Sequence, residues 1–176
     1  MARLFVALWP PAEVLDAVEA LPRLPLAGAR WTTRKQWHVT LRFLGSADVR
    51  VAIAALDNLV AAACTASLGP RPTRLGRGVL MLPVAGIDDL AAAVVQATAH
   101  VGVPPDARPF RGHLTLAESR RGKPPKLDVE LRARWPVTEV ALVESHLHPA
   151  GAVYDTVHTL ALMLPDAAAP RERNRS

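Results

Sequence analysis

Two short runs in this chain place an imidazole and a hydroxyl two residues apart: His38-Val39-Thr40-Leu41 and His113-Leu114-Thr115-Leu116. Histidine is the side chain whose neutral and protonated forms are both available near pH 7. Two of them around one point could take a proton from an attacking water and give one to a leaving oxygen. Two threonine hydroxyls could hold the non-bridging oxygens of a phosphorus as it becomes five-coordinate. That is the chemistry of phosphodiester cleavage by acid–base catalysis, and it asks for no metal and no cofactor. A lone histidine on a strand is ordinarily a satisfied structural residue, so the argument rests on the repetition. With 6 His in a chain of this composition, random placement would give about 0.05 copies of His-x-Thr-Leu. Zinc fits less well, because each run supplies one ligand and no third His or carboxylate stands at ligand spacing.

Each run must lie on an element that points the two polar side chains the same way, and a strand does so, since residues i and i+2 share a face. The alternation predicts Val39, Leu41 and Phe43 toward the core, with His38, Thr40 and Arg42 opposite. It likewise predicts Leu114 and Leu116 buried, with His113 and Thr115 together and Arg111 two residues before them. Phe5 is placed by the same rule on the cleft side of the first strand, where an aromatic ring could stack on a base or pack the core. The copies stand 75 residues apart, near half the ordered length. Two similar lobes facing each other across a cleft would bring them together.

The rest of the chain reads as the frame. Residues 3–9 are a short apolar strand ended by Pro10-Pro11, and 11–21 a helix with proline in its first turn. The strand HVTLRFLG follows, closed by Gly45. Residues 48–66 read as the longest helix, with Asp48 as its N-cap and Cys64 as a small core residue within it. Two short strands lie in 72–84, and 87–102 forms another helix with Gly102 at its C-terminal cap. Strands are expected at 110–118, 138–147 and 153–164. Strands that follow one another directly favour α+β over a doubly wound parallel sheet: two similar lobes, mostly antiparallel, with helices outside. No glycine-rich phosphate loop is present. Residues 1–165 are expected to be one bilobal domain and 166–176 a disordered tail.

The 176 residues carry a net charge of +5, nearly all of it from arginine, with Lys35, Lys123 and Lys126 the only lysines. Such a surface suits a polyanion, although arginine enrichment also follows from GC-rich coding. Arg120 and Arg121, in the loop SRRGKPPK, are candidates for RNA backbone contacts, against the alternative of a solvated turn. A single cysteine excludes an internal disulfide, and no uninterrupted apolar run of 18 residues exists, so a cytoplasmic protein without a membrane partner is expected. His146, His148 and His158 lack a Thr at i+2 and read as structural or surface residues. Tyr154 reads as a strand-end residue or a substrate contact.

RLFVAL, RWTTRKQWHVTLRFLG, PFRGHLTLA, VALVESHL and GAVYDTVHTLAL, in that order, resemble the two-histidine (2H) phosphoesterases. More narrowly, they are similar to the bacterial and archaeal RNA 2′,3′-cyclic phosphodiesterases, also called the 2′–5′ RNA ligase family, over about residues 2–164. The resemblance implies a bilobal α+β fold and metal-independent hydrolysis of RNA 2′,3′-cyclic phosphate termini to 2′-phosphates, with weak reverse 2′–5′ ligation. It implies His38 and His113 as the acid–base pair, Thr40 and Thr115 as phosphate holders, and a monomer acting on RNA, transfer RNA among its substrates. Glu118 departs from the pattern, for members of the group often carry arginine close after the second motif. Arg42, Arg111, Arg120 or Arg121 would then supply the anion-binding charge. The same four residues would serve another cyclic or 2′–5′ nucleotide. A non-catalytic basic RNA-binding module is the reading from a different class.

Overall fold

In the computed structural model, residues 1–23, 25, 28–119, 124, 126–148 and 151–164 are described. Arg120, Arg121 and the 166–176 tail lie outside them. The opening apolar run forms β1 (Ala2–Leu8), buried without interruption from Leu4 to Leu8. Both of its faces are covered, which is why it reads as an unbroken apolar run rather than an alternating one. Pro10 and Pro11 end it, and α1 (Ala12–Glu19) begins directly after Pro11. Then come β2 (Ala29–Trp31), a 3-10 turn at Arg34–Gln36, and β3 (Val39–Ala47).

Asp48 caps α2 (Val49–Asp57), its carboxylate accepting from the Arg50 and Val51 N–H groups at 2.8 and 3.2 Å. Such a cap is worth about 1 kcal/mol. The helix stops at Asp57 rather than Ala66, and Cys64 instead opens β4 (Cys64–Leu68). An alanine-rich stretch satisfies either element. Here the ladder decides, because Cys64 to Leu68 pair with Val137 to Ala133 of β8 (Ala133–Val137). Next in order are β5 (Thr73–Leu75), β6 (Val79–Ala85), α3 (Asp88–Ala97), β7 (His113–Ser119), β8, β9 (Glu139–His148) and β10 (Gly151–Ala161). The last helix ends at Ala97, short of Gly102. That glycine has φ +65° and lies where a Cβ would collide with the Leu44 carbonyl, while the Val103 N–H donates to the same oxygen at 2.8 Å.

The strands form one curled sheet in the order β10-β9-β1-β3-β7-β6-β4-β8, with β2 beside β7 and β5 beside β6, all these pairs antiparallel. The α+β class expected from the sequence is the class observed. The three helices pack on one face, where Val14, Val18, Ala52, Leu56, Leu90 and Val94 join Leu4, Val6 and Leu8 in the main core. The other face carries a second, smaller cluster of Phe5, Ala7, Ala141 and Val143, with Trp9 and Tyr154 against it.

Two β-bulges set which side chains reach that second face. Ala7 pairs with Thr40 and Val6 with Arg42, so Leu41 is an extra residue in β3. Met81 pairs with Thr115 and Leu80 with Ala117, so Leu116 is the extra residue in β7. The leucine of each His-x-Thr-Leu run is thus the bulge residue, buried at 3% exposure in both copies. A bulge shifts the alternation by one, and this corrects two expectations. Phe43, predicted inward, is 44% exposed beneath the Arg3 guanidinium. Arg42, predicted on the cleft face, turns to the helix side and is 5% exposed. Its guanidinium donates to the carbonyls of Val95, Val101 and Val103 and to Thr98 Oγ1, at 2.8 to 3.3 Å. There it satisfies carbonyls at and beyond the C-terminal end of α3, where a cation is favoured. Arg42 is a structural tie, not an anion contact.

Candidate active site

Val39 of β3 pairs with Leu114 of β7, and both are fully buried toward the helices. Continued one residue either way, that antiparallel register sets His38 opposite Thr115 and Thr40 opposite His113. All four side chains therefore stand on the sheet face away from the helices in a two-by-two block, and all four are half-buried. The two histidines are close enough that a charge on His113 disfavours one on His38.

Each imidazole is aimed by the same device. His38 Nδ1 lies 2.7 Å from the Gln36 carbonyl, and His113 Nδ1 lies 2.7 Å from the Arg111 carbonyl. A carbonyl oxygen only accepts, so Nδ1 carries the proton in both rings, and Nε2 is left as the basic nitrogen. In His38, Nε2 accepts a hydrogen bond from the Thr40 hydroxyl at 3.1 Å. Arg111 contributes this carbonyl, while its side chain is exposed.

The surroundings of the two rings differ. Phe5 and Tyr154 lie 4.9 Å from the His38 ring and Trp9 lies 5.7 Å from it, the last two edge-on. Burial among them pushes the His38 pKa down to about 4, helped by the neighbouring His113 and opposed by the Gln36 carbonyl. Phe5 is only 4% exposed, covered by His38 and Tyr154. It forms the floor under the His38 imidazole, and with 4% exposure it leaves no open face for a base to stack on. Trp9 is fixed by donating Nε1–H to Thr156 Oγ1 at 3.0 Å. The Tyr154 phenol is raised above its usual range, first by burial and then by the Glu118 carboxylate, with Arg30 and Arg3 opposing.

Glu118 is itself answered from the neighbouring strand. Arg30 of β2 pairs with it in the ladder and reaches its carboxylate at 3.5 Å, both side chains about half exposed. Sequence reasoning assigned no role to Arg30, Trp9, Thr32 or Trp37, because none of them lies within either His-x-Thr-Leu run. His146 faces Glu144 and Asp155, and His158 faces Asp57 at 2.8 Å, both away from the block of four.

The profile of the family described as LigT like phosphoesterase matches residues 8–82. A Thermus thermophilus protein named RNA 2′,3′-cyclic phosphodiesterase is 32% identical over 182 residues, covering 91% of this chain and 90% of its own. A crystal structure from Thermus thermophilus superposes with a TM-score of 0.75 at 28% identity, covering 91% of this chain and 97% of the other. Escherichia coli LigT crystallised with 3′-AMP superposes at 0.72 with 24% identity, over 92% of this chain and 98% of that one, and bears on the fold alone. No helix among the described residues is long and apolar enough to cross a membrane.

Proposed function

We infer, for a chain that belongs to the LigT-like phosphoesterase family, that it opens the 2′,3′-cyclic phosphate at the end of an RNA to a 2′-phosphate. The observation that carries this reading is the register of β3 on β7, which surrounds one point with two imidazoles and two hydroxyls. The reacting state holds one neutral and one protonated ring. The neutral Nε2 takes a proton from water as its oxygen bonds to phosphorus. The P–O3′ bond breaks, and the protonated ring delivers its proton to O3′. Thr40 and Thr115 donate to the non-bridging oxygens, whose charge grows in the five-coordinate state.

The relative named RNA 2′,3′-cyclic phosphodiesterase supports the choice of substrate. The charge of +5, mostly arginine, suits a polyanionic chain. The domain, residues 1–165, would act as a monomer in the cytoplasm, with slow 2′–5′ ligation when an RNA 5′-hydroxyl replaces water as the group that bonds to phosphorus and O3′ leaves as before. Incubating the protein with an RNA ending in a 2′,3′-cyclic phosphate, with EDTA present, tests this. A 2′-phosphate product formed at the same rate as without chelator is expected. A 3′-phosphate, or complete loss of activity with chelator, would overturn the mechanism.

A further inference from the structure

Thr32 lies outside both motifs, in a run that reads as polar loop, yet it is only 5% exposed. Its hydroxyl donates toward two carbonyls at once, those of Thr115 at 2.7 Å and Leu116 at 2.9 Å. Its backbone N–H donates to the Leu116 carbonyl as well, at 2.9 Å. The same hydroxyl oxygen accepts Nε1–H of Trp37, at 2.9 Å, and Trp37 is 2% exposed. A hydroxyl offers one donor and two acceptor sites, so Thr32 is filled on both sides. The carbonyls it holds belong to the bulge of β7, where the ladder to β6 slips by one residue. Bulges leave backbone groups without their regular partner, and Thr32 takes the place of one.

We propose that Thr32 is a positioning residue for Thr115, and that Trp37 anchors it. The peptide between Thr115 and Leu116 fixes the direction of the Thr115 side chain, and the Thr32 hydroxyl fixes that peptide. Because Trp37 immediately precedes His38, the same hydroxyl ties the backbone of the first motif to the bulge of the second. The four polar side chains are therefore held in one frame by a single buried oxygen, in addition to the Val39–Leu114 ladder pair. The proposal rests on the reading of Thr115 as a phosphate holder, and Thr32 itself touches no substrate.

A double-mutant cycle tests it. Thr32→Val keeps the shape and removes the hydroxyl, and kcat/KM should fall about tenfold, as expected for a displaced catalytic donor. Thr32→Ser should restore the wild-type rate. In a Thr115→Ala background, Thr32→Val should cost nothing further in rate while still lowering the melting temperature, because the two act on one donor. If Thr32→Val lowers the melting temperature but turns over at the wild-type rate, the role is merely structural. An equal loss of rate in both backgrounds would also overturn the proposal. Should Thr32→Val fail to fold, Trp37→Phe removes the anchoring N–H together with part of the buried ring, and its loss of rate, though not its loss of melting temperature, should likewise vanish in the Thr115→Ala background. Wild type inactive on the cyclic phosphate, or Thr115→Ala at full rate, would instead sink the reading of the site, and this proposal with it.

Discussion

Val39 and Leu114 sit opposite one another as the ladder pair that joins β3 to β7, each buried against the helices. The pair marks an approximate two-fold axis: turning about it exchanges His38 with His113 and Thr40 with Thr115. The two strands on either side, β1 and β6, each meet the motif strand through a slip at the motif leucine.

The histidines should behave as one unit. His38→Ala and His113→Ala should each lower single-turnover hydrolysis by about 10²–10⁴-fold. The double variant should be little worse than the weaker single, since either loss disables the same proton transfer. Additive losses would show that the two rings act in separate steps.

The low pKa of His38, about 4 against an ordinary 6.5, makes stability depend on pH. Between those values the unfolded chain binds a proton that the native protein refuses. Stability from this group is therefore complete above pH 6.5 and is lost as pH falls toward 4, with a slope approaching 1.4 kcal/mol per unit, roughly. Urea unfolding from pH 7 to 4 should show the decline, and His38→Gln should flatten it.

Removing the ring that closes over His38 should release it. Tyr154→Ala should raise the His38 pKa toward the ordinary value, because solvent reaches the imidazolium, whereas Tyr154→Phe should change it little. An NMR titration of the His38 ring reads both variants directly.

Arg42 should matter for folding and not for RNA. Arg42→Ala leaves three carbonyls and the Thr98 hydroxyl without their donor, at a cost of about 3 kcal/mol in urea unfolding. The KM for an RNA substrate should stay within about twofold, since a residue outside the cleft removes no binding contact.

What the sequence made legible was the part governed by simple alternation. His38 with Thr40 and His113 with Thr115 could be paired because each set lies two residues apart, before the bulge. Beyond Leu41 the alternation is shifted, and the extra residue leaves no mark in composition, so Arg42 and Phe43 were assigned to the wrong faces. Residues 58–66 read as helix because alanine suits helix cores, but the chain leaves the helix at Asn58 and from Cys64 onward long-range pairing of β4 with β8 prevails. β2 and β8 escaped notice because ARW and ARWPV are short, carry arginine and, in β8, proline. Thr32 was hidden in a polar loop and Trp37 stood just ahead of the first motif; neither could be linked to the bulge, because the bonds from Thr32 to it cross more than 80 residues.

The aromatic cluster has a consequence for which product can form. Four groups arranged about a two-fold axis would accept a cyclic phosphate in either of two senses. O2′ and O3′ would then be interchangeable as leaving groups, and a mixture of isomers would result. Phe5, Trp9 and Tyr154 crowd His38, and among the described residues no aromatic ring contacts His113. Among the described residues, aromatic rings line the His38 side of the site and not the His113 side. That inequality lifts the degeneracy of the two docking senses, so a site built from a repeated unit can still be regioselective.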